Sequence, residues 1–328
     1  MKRYIAVVWI SEFIIRNAAY LGQLFRSQRS LLVVIGATLA GVAYPALAAP
    51  IEPLLPAFVA GLVFTAFYGF SLGDTTVRSV SVPVIGSLVC LYLLVPITLY
   101  PIAAATLSGE LLLGVLVVLS APVAAGSSII WTRLGGGNTL SATVTVLASM
   151  LLAPLAMPSL ISLFADSGVD VAAADLVVEL GAIVLVAGLL ASFVPADAVS
   201  DDQLDTFSVA TIGALIYASV GSSPLSVEPI QLAVVAGIAI AALGLSAAVA
   251  AGLYARGVRS DDCITVLFSG SMKNMSVAVM IGAVLGGGTI VAAITAFHVV
   301  QQVVSSSIVG RLGPAGGSEP VATTQPGD

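Results

Sequence analysis

Long apolar stretches, each of about the length that crosses a lipid bilayer, alternate with short polar loops along most of this chain. A helix needs roughly 20 mainly apolar residues to cross the hydrocarbon core. Ten stretches suit this role, at residues 31–48, 53–71, 79–104, 110–134, 139–164, 172–194, 205–222, 229–255, 262–285 and 288–310. The pattern therefore predicts an all-α polytopic membrane protein with ten transmembrane helices.

The composition agrees with a protein that lies mostly in lipid. Of the 328 residues, 59% are hydrophobic and 9% are charged, whereas about 25% of residues are charged in a soluble domain. The single histidine and the two distant cysteines, Cys90 and Cys263, do not form a metal-binding pattern. Since there is no basic patch and no acid–base or nucleophile constellation, we expect a non-enzyme without cofactor, metal or nucleic-acid partner.

The basic residues indicate how the chain is oriented in the membrane, because Lys and Arg are enriched in cytoplasmic loops. Ten of the eleven fall on one face under the ten-helix count: Lys2, Arg3, Arg16, Arg26, Arg29, Arg78, Arg133, Arg256, Arg259 and Arg311. We therefore predict a multi-pass protein of the plasma membrane with both termini in the cytoplasm.

The two ends of the chain differ from the stretches between them. Residues 1–30 hold a shorter apolar run interrupted by Glu12 and Arg16, which are four positions apart and can pair on one helix face. We interpret this segment as an interfacial amphipathic helix, with an eleventh span as the alternative. Residues 31–311 are predicted to form a single transmembrane domain, and residues 312–328 a disordered cytoplasmic tail.

Two of the stretches are interrupted near their middle by residues that break helices. Pro122 and Gly126 interrupt the fourth stretch, and Ser269 and Gly270 interrupt the ninth. These are the fourth stretches of two five-stretch halves, and because five is odd the halves run with opposite topology. Paired interruptions of this kind are a pointer to a transport site. We therefore predict two inverted five-helix repeats in which helices four and nine are discontinuous.

Lys273 is the one basic residue that lies inside an apolar stretch of membrane length. A charge at bilayer depth costs at least ~2.5–3.5 kcal/mol and marks a functional site by default. Three interpretations are open: a structural lysine that satisfies carbonyls at the helix break, a fixed cation at the transport site, or a proton carrier.

The interrupted stretches also carry a family resemblance. Residues 120–158 contain Ala-Pro, Gly-Ser-Ser and Gly-Gly-Gly-Asn-x-Leu-Ser, residues 268–285 are built on Lys273-Asn274, and weaker similarity runs through 54–96. These motifs resemble the bile acid:sodium symporter superfamily. The resemblance implies a core domain (helices three to five and eight to ten) in which discontinuous helices four and nine cross. It also implies a panel domain (helices one, two, six and seven) and transport of organic anions, often with sodium.

The chain departs from this family where the family binds sodium. A family glutamate in helix nine and a glutamine four residues later are Ser269 and Lys273 here, and a glutamine in helix three is Leu91. Sodium needs several oxygen ligands, which Leu91 and Lys273 do not supply. We therefore expect transport that does not depend on sodium. At the second sodium position of the family, the nearest matches are Ser127 or Ser128, Ser141 and Thr145.

An anion site is expected where the two broken helices restart. Their second halves direct positive N-terminal ends at the midplane, where they converge on Lys273. Asn274 is expected to add a hydrogen bond, with helix packing as the alternative. One amide of Gln301 and Gln302 is expected to line the cavity, and His298 either joins the site or only bonds a neighbouring helix.

The function that these features favour is secondary transport of a small organic anion by alternating access, with Lys273 as the candidate group for proton coupling. The expected partners are the anion, the lipid bilayer and protons. One alternative is sodium-coupled symport of an organic anion. A second is arsenite efflux, although the related arsenite carriers have a cysteine where this chain has Val123. A cation/proton antiporter would need membrane-embedded aspartates, which the predicted core helices do not offer.

Overall fold

A computed structural model describes residues 32–68, 77–164, 173–195, 197–221, 227–285 and 288–312. Within these ranges every regular element is a helix. The interfacial helix predicted for residues 1–30 and the tail beyond Leu312 lie outside the described residues.

The helices follow the predicted stretches closely. The first half of the chain forms α1 (Leu32–Ala43), α2 (Leu55–Phe67), α3 (Val77–Val89), α4 (Val95–Ala104), α5 (Gly109–Ser120), α6 (Ala125–Leu134) and α7 (Thr139–Phe164). The second half forms α8 (Ala173–Phe193), α9 (Asp201–Gly221), α10 (Pro229–Ala255), α11 (Ser260–Ser269), α12 (Met275–Leu285) and α13 (Gly288–Leu312). The turn Cys90–Leu94 is π-helical and joins α3 to α4 without a loop.

Several of these helices have the length and apolar character that a membrane crossing requires. In the described part of the chain five do so, at Val80–Ala104, Thr139–Phe164, Asp202–Gly221, Pro229–Ala255 and Gly288–Leu312. A sixth candidate arises if α1 and the segment Pro45–Ile51 are counted as one span, although they are bent by 96°. Helices α5, α6, α11 and α12 have 10 to 12 residues each and are too short to cross alone.

The first apolar stretch is interrupted earlier than its hydrophobicity indicates. Helix α1 ends at Ala43, and the chain turns through short helical segments that include Pro45–Leu47 and Glu52–Leu54. Pro45 has no N–H to bond the carbonyl of Gly41, and its ring clashes with that carbonyl. The expected helix over residues 31–48 is therefore bent rather than straight.

The helices pack against several neighbours each, and α7 with α8 and α9 with α13 are also in contact. Helix α2 packs against α8 and α9, while α13 packs against α5, α10 and α12. Helices α5 and α13 approach very closely, because a Cβ atom placed on Gly114 would lie 2.7 Å from the Ile290 carbonyl oxygen. Small residues permit such close contact between helices in membranes.

Two loops with basic residues meet at one end of the molecule. Asn138, in the turn after α6, donates its N–H to the Asp261 carbonyl and its side-chain amide to the Asp262 carboxylate, both at 3.1 Å. Arg259 also donates a hydrogen bond to the Asp261 carboxylate and holds the pKa of that group below its ordinary value. The loops that carry Arg133 and Arg259 therefore lie on the same side of the protein.

Candidate functional site

The chain leaves helical conformation after α5 and again after α11, and these two extended segments cross each other. Val123 and Lys273 form an antiparallel backbone bridge at the crossing. Two hydrogen bonds hold the segments together, from the Ala124 N–H to the Met272 carbonyl at 2.9 Å and from the Asn274 N–H to the Pro122 carbonyl at 2.8 Å. Interruptions are therefore present in both predicted stretches, and they contact each other directly.

Pro122 ends one helix at the crossing, and Gly270 permits close packing where the other ends. Pro122 has no N–H to continue α5. At Gly270 a Cβ atom would lie 2.6 Å from the Val266 carbonyl oxygen and 2.8 Å from the Cys90 Cβ, so a larger residue would not fit. Gly126, which also figured in the predicted break, lies instead in the first turn of α6.

Helices α6 and α12 restart directly after the crossing, at Ala125 and Met275. Asn274 caps α12, because its Oδ1 accepts the Val277 N–H at 3.1 Å. Its Nδ2 donates to the Val123 carbonyl at 3.4 Å and so ties α12 to the other segment. Each helix N-terminus carries roughly half a positive charge, and the crossing therefore brings two such ends together.

A cavity of about 290 Å³ lies against these two helix ends. The first turns of α6 and α12 form part of its wall, α13 forms another part, and α2 and α9 face them from the opposite side. Its polar side chains come from both sides and include Ser127, Asn274 and Gln302 on one side and Thr65, Asp205 and Ser208 on the other. The wall is mostly apolar, and each of these helices adds polar side chains to it.

Lys273 lies behind the crossing with 1% of its surface exposed. Its Nζ donates hydrogen bonds to three main-chain carbonyls, those of Leu91 at 2.7 Å, Leu119 at 2.6 Å and Ala121 at 3.4 Å. The Leu91 carbonyl has no helical partner. In a π-helix it would accept the N–H of the residue five positions later, and that residue is Pro96, which has no N–H. The Leu119 carbonyl is in the last turn of α5, where carbonyls also lack partners. Among the described residues, Lys273 is not one of those that line the cavity.

The two neighbouring glutamines of α13 do different things. Gln301 supports the crossing, since its Oε1 accepts the Lys273 N–H at 3.0 Å and its Nε2 donates to the Lys273 carbonyl at 3.4 Å. Ser149 of α7 does the same for the other segment by accepting the Val123 N–H at 3.1 Å. Non-helical backbone at membrane depth needs such partners. Gln302 is the glutamine that lines the cavity.

The predicted hydroxyl residues form two buried pairs. The Ser128 and Ser269 hydroxyls lie 2.9 Å apart and join α6 to α11. On α7 the Thr145 hydroxyl donates to the Ser141 carbonyl at 2.7 Å. The Ser141 hydroxyl itself is buried without a hydrogen-bond partner in the described parts of the chain. Ser127 lies apart from both pairs, in the wall of the cavity.

The far wall of the cavity was not foreseen from the sequence. Asp205, Ser208 and Ile212 of α9 all line it, and their spacing of three and four residues places them on one helix face. That spacing is a signal that the sequence carries.

Helices of membrane length, two interrupted helices in contact and a cavity where they restart are typical of a membrane transport protein. The model of the SBF-like CPA transporter family matches residues 28–313, and the chain belongs to that family. The resemblance to the bile acid:sodium symporter superfamily is thereby confirmed. A comparison with curated proteins found no match.

Proposed function

We propose that this protein is a secondary active transporter that moves a small organic anion across the plasma membrane by alternating access. The observation that carries the proposal is the cavity of about 290 Å³ at the first turns of α6 and α12. A carboxylate there would gain from the free N–H groups and the positive ends of both helices. The cavity is at the small end of the range for ligand pockets, which favours a small substrate.

The packing supports a division into panel and core. We count α5 with α6 as one interrupted span and α11 with α12 as another, and α3 with α4 as one continuous span. This count gives the ten-helix topology and the inverted five-helix repeats that we propose. The cavity is lined by α2 and α9 on the panel side and by α6, α12 and α13 on the core side. Movement of one group against the other would therefore change access to the bound anion.

The cavity lies in the half of the protein that has the basic loops. Trp131 lines it, two residues before Arg133 in the last turn of α6. The contact between Asn138 and Asp261 places the basic loop after α10 at the same end. Under the positive-inside rule this end is cytoplasmic. We therefore interpret the structure as a state in which the cavity lies on the cytoplasmic side of the crossing.

The environment of Lys273 favours a fixed cation over a proton carrier. An ammonium group has three donors and no acceptor, which matches three carbonyl oxygens around Nζ. A neutral amine has only two N–H donors, so its lone pair would face one of these oxygens, which is unfavourable. Because the ammonium bonds the carbonyl of Leu91, the position of a family sodium ligand, we propose that it replaces one coupling ion. This arrangement supports transport that does not require sodium.

Sodium-coupled symport is the second candidate, and one observation favours it. The Ser141 hydroxyl is buried without a partner among the described side chains and main chain, and Ser128 and Ser269 add two more buried hydroxyls. These are oxygen ligands of the kind that sodium accepts. Arsenite efflux lacks comparable support, since neither Cys90 nor Cys263 is among the described residues of the cavity wall.

The proposed anion site can be tested by filling the cavity. Gly126 lines the cavity, and a Cβ atom placed on it would meet nothing within 4 Å. We expect Gly126→Leu to fold normally but to lose stabilisation by small organic anions in a thermal-shift screen. Bound ligand well above its Kd stabilises wild-type protein by a few kcal/mol, roughly 2.7 kcal/mol at a hundredfold excess.

The matched control is Gly237→Leu on α10. A Cβ atom at Gly237 also meets nothing within 4 Å, but this residue is not in the cavity wall. It should retain the full anion response. Equal responses in the two variants would show that the anion binds elsewhere.

A further inference from the structure

The cavity wall contains a chain of three buried polar side chains that connects α6 to α13. The Trp131 Nε1–H donates to Gln302 Oε1 at 2.7 Å. The Gln302 Nε2 lies 3.3 Å from the His298 Nε2. The His298 Nδ1 is buried and has no hydrogen-bond partner within the described structure. All three residues line the cavity.

The chemistry of these groups determines where the histidine proton lies. An indole N–H only donates, so the Gln302 atom that faces Trp131 must be the carbonyl oxygen. The other end of the amide is then its NH₂ group, which also only donates. The His298 Nε2 must therefore accept this hydrogen bond and carries no proton. A neutral imidazole in this position has its proton on Nδ1.

We propose that His298 is held as the neutral Nδ1–H form and that this donor, which is buried in the present structure, binds the anionic substrate when a shift of the cavity wall uncovers it. The inference rests on the proposed anion site and adds a third kind of donor to the two helix ends. A buried donor without a partner is costly, and a carboxylate or carbonyl oxygen of the substrate would remove that cost. If Nε2 were protonated, its N–H would face the NH₂ group of Gln302, and two donors cannot bond each other. This arrangement opposes a proton-carrying role for His298.

Since His298 is the single histidine of the chain, its ring nitrogens can be observed without ambiguity. We would label the full-length protein with ¹⁵N-histidine and record the imidazole nitrogen shifts. A protonated nitrogen at Nδ1 and an unprotonated one at Nε2 are expected. Gln302→Glu should move the proton to Nε2, because a carboxylate accepts from both Trp131 and His298, whereas Gln231→Glu, at the start of α10, should not.

The role in binding is tested with radiolabelled benzoate as a small monocarboxylate probe. An asparagine amide can occupy the position of Nδ1, whereas a glutamine amide reaches the position of Nε2. The Kd for benzoate should therefore stay within about threefold of wild type in His298→Asn. In His298→Gln it should rise about tenfold, which corresponds to a loss of about 1.4 kcal/mol of binding free energy.

Three results would overturn the inference. These are a proton on Nε2, a doubly protonated ring, or equal losses of benzoate affinity in the two His298 variants. If wild-type protein has the Nδ1 proton but binds no benzoate at any concentration that it tolerates, the proposed anion site itself is wrong. The two failures are therefore distinguishable, because the ring signals are measured without ligand.

Discussion

At the scale of single residues, Lys273 shows how main-chain carbonyls are satisfied where two helices stop. Its amino group supplies the hydrogen bonds that two helices cannot make for themselves, at Leu91 because of Pro96 and at Leu119 because the Val123 N–H bonds Ser149 instead. A structural role at the helix break and the role of a fixed cation are therefore compatible. The side-chain nitrogen lies where carbonyl oxygens converge, and such oxygens are also the ligands of hard metal ions.

Replacing Lys273 with methionine keeps most of its volume but removes the donors. We expect Lys273→Met to lower the free energy of unfolding by about 2 kcal/mol or more, since an unsatisfied buried carbonyl costs about 1–3 kcal/mol. Anion transport should be lost as well. Thermal unfolding in detergent and uptake in vesicles would measure the two effects.

The matched control for the charge is Arg259→Ala, at a side chain that is 77% exposed. An exposed ion pair contributes little, so this variant should unfold close to the wild-type temperature. A Lys273→Met protein with unchanged stability and uptake would remove Lys273 from both the fold and the mechanism.

At the scale of helices, the position of the crossing depends on close packing between α5 and α13. Helix α5 leads into the crossing, and α13 carries Gln301 and Gln302, so a shift between these helices would move both the support of Lys273 and the cavity wall. Gly114 sets their separation, with Ile290 and Ala293 of α13 directly opposite. The site is therefore sensitive to a residue that does not touch the cavity.

A single methyl group at Gly114 tests this dependence. A Cβ atom there would lie 2.7 Å from the Ile290 carbonyl and 2.9 Å from the Ala293 Cβ. We expect Gly114→Ala to destabilise the protein by about 1–3 kcal/mol, as overpacking does, and to weaken anion binding.

The control is Gly244→Ala on α10, where a Cβ atom meets nothing within 4 Å. It should stay within about 1 kcal/mol of wild type, since alanine is the better helix former. If the two variants are equally stable in thermal unfolding, close approach at Gly114 does not matter.

The helices themselves and the positions of both interruptions were predictable, because apolar length and Pro122 act locally and the small residues around Gly270 mark the second break in the sequence. The bend after α1 depends on Pro45, which a hydrophobicity pattern does not record. The partners of Lys273 were not predictable, because they depend on a carbonyl left free by Pro96 in a different helix. Whether Gln301 or Gln302 faces the cavity depends on how α13 is rotated, which only packing decides.

At the scale of the whole molecule, the cavity is shared by helices that are far apart in the chain. Asp205 and Ser208 come from α9, whereas Asn274 lies at the start of α12 and Gln302 on α13. The far wall could not be assigned from sequence for the same reason. A site shared between helices that can move relative to one another is the arrangement that alternating access requires.

The central claim is that a small organic anion is carried without sodium, with Lys273 in the place of a coupling ion. Uptake of a radiolabelled anion that stabilises the protein in the thermal-shift screen would be measured in proteoliposomes, in sodium and in choline buffers. Equal initial rates in the two buffers, lost in Gly126→Leu and kept in Gly237→Leu, are predicted. Uptake that occurs only in sodium would contradict the claim and would assign the ion to the hydroxyls of Ser128, Ser141 and Ser269.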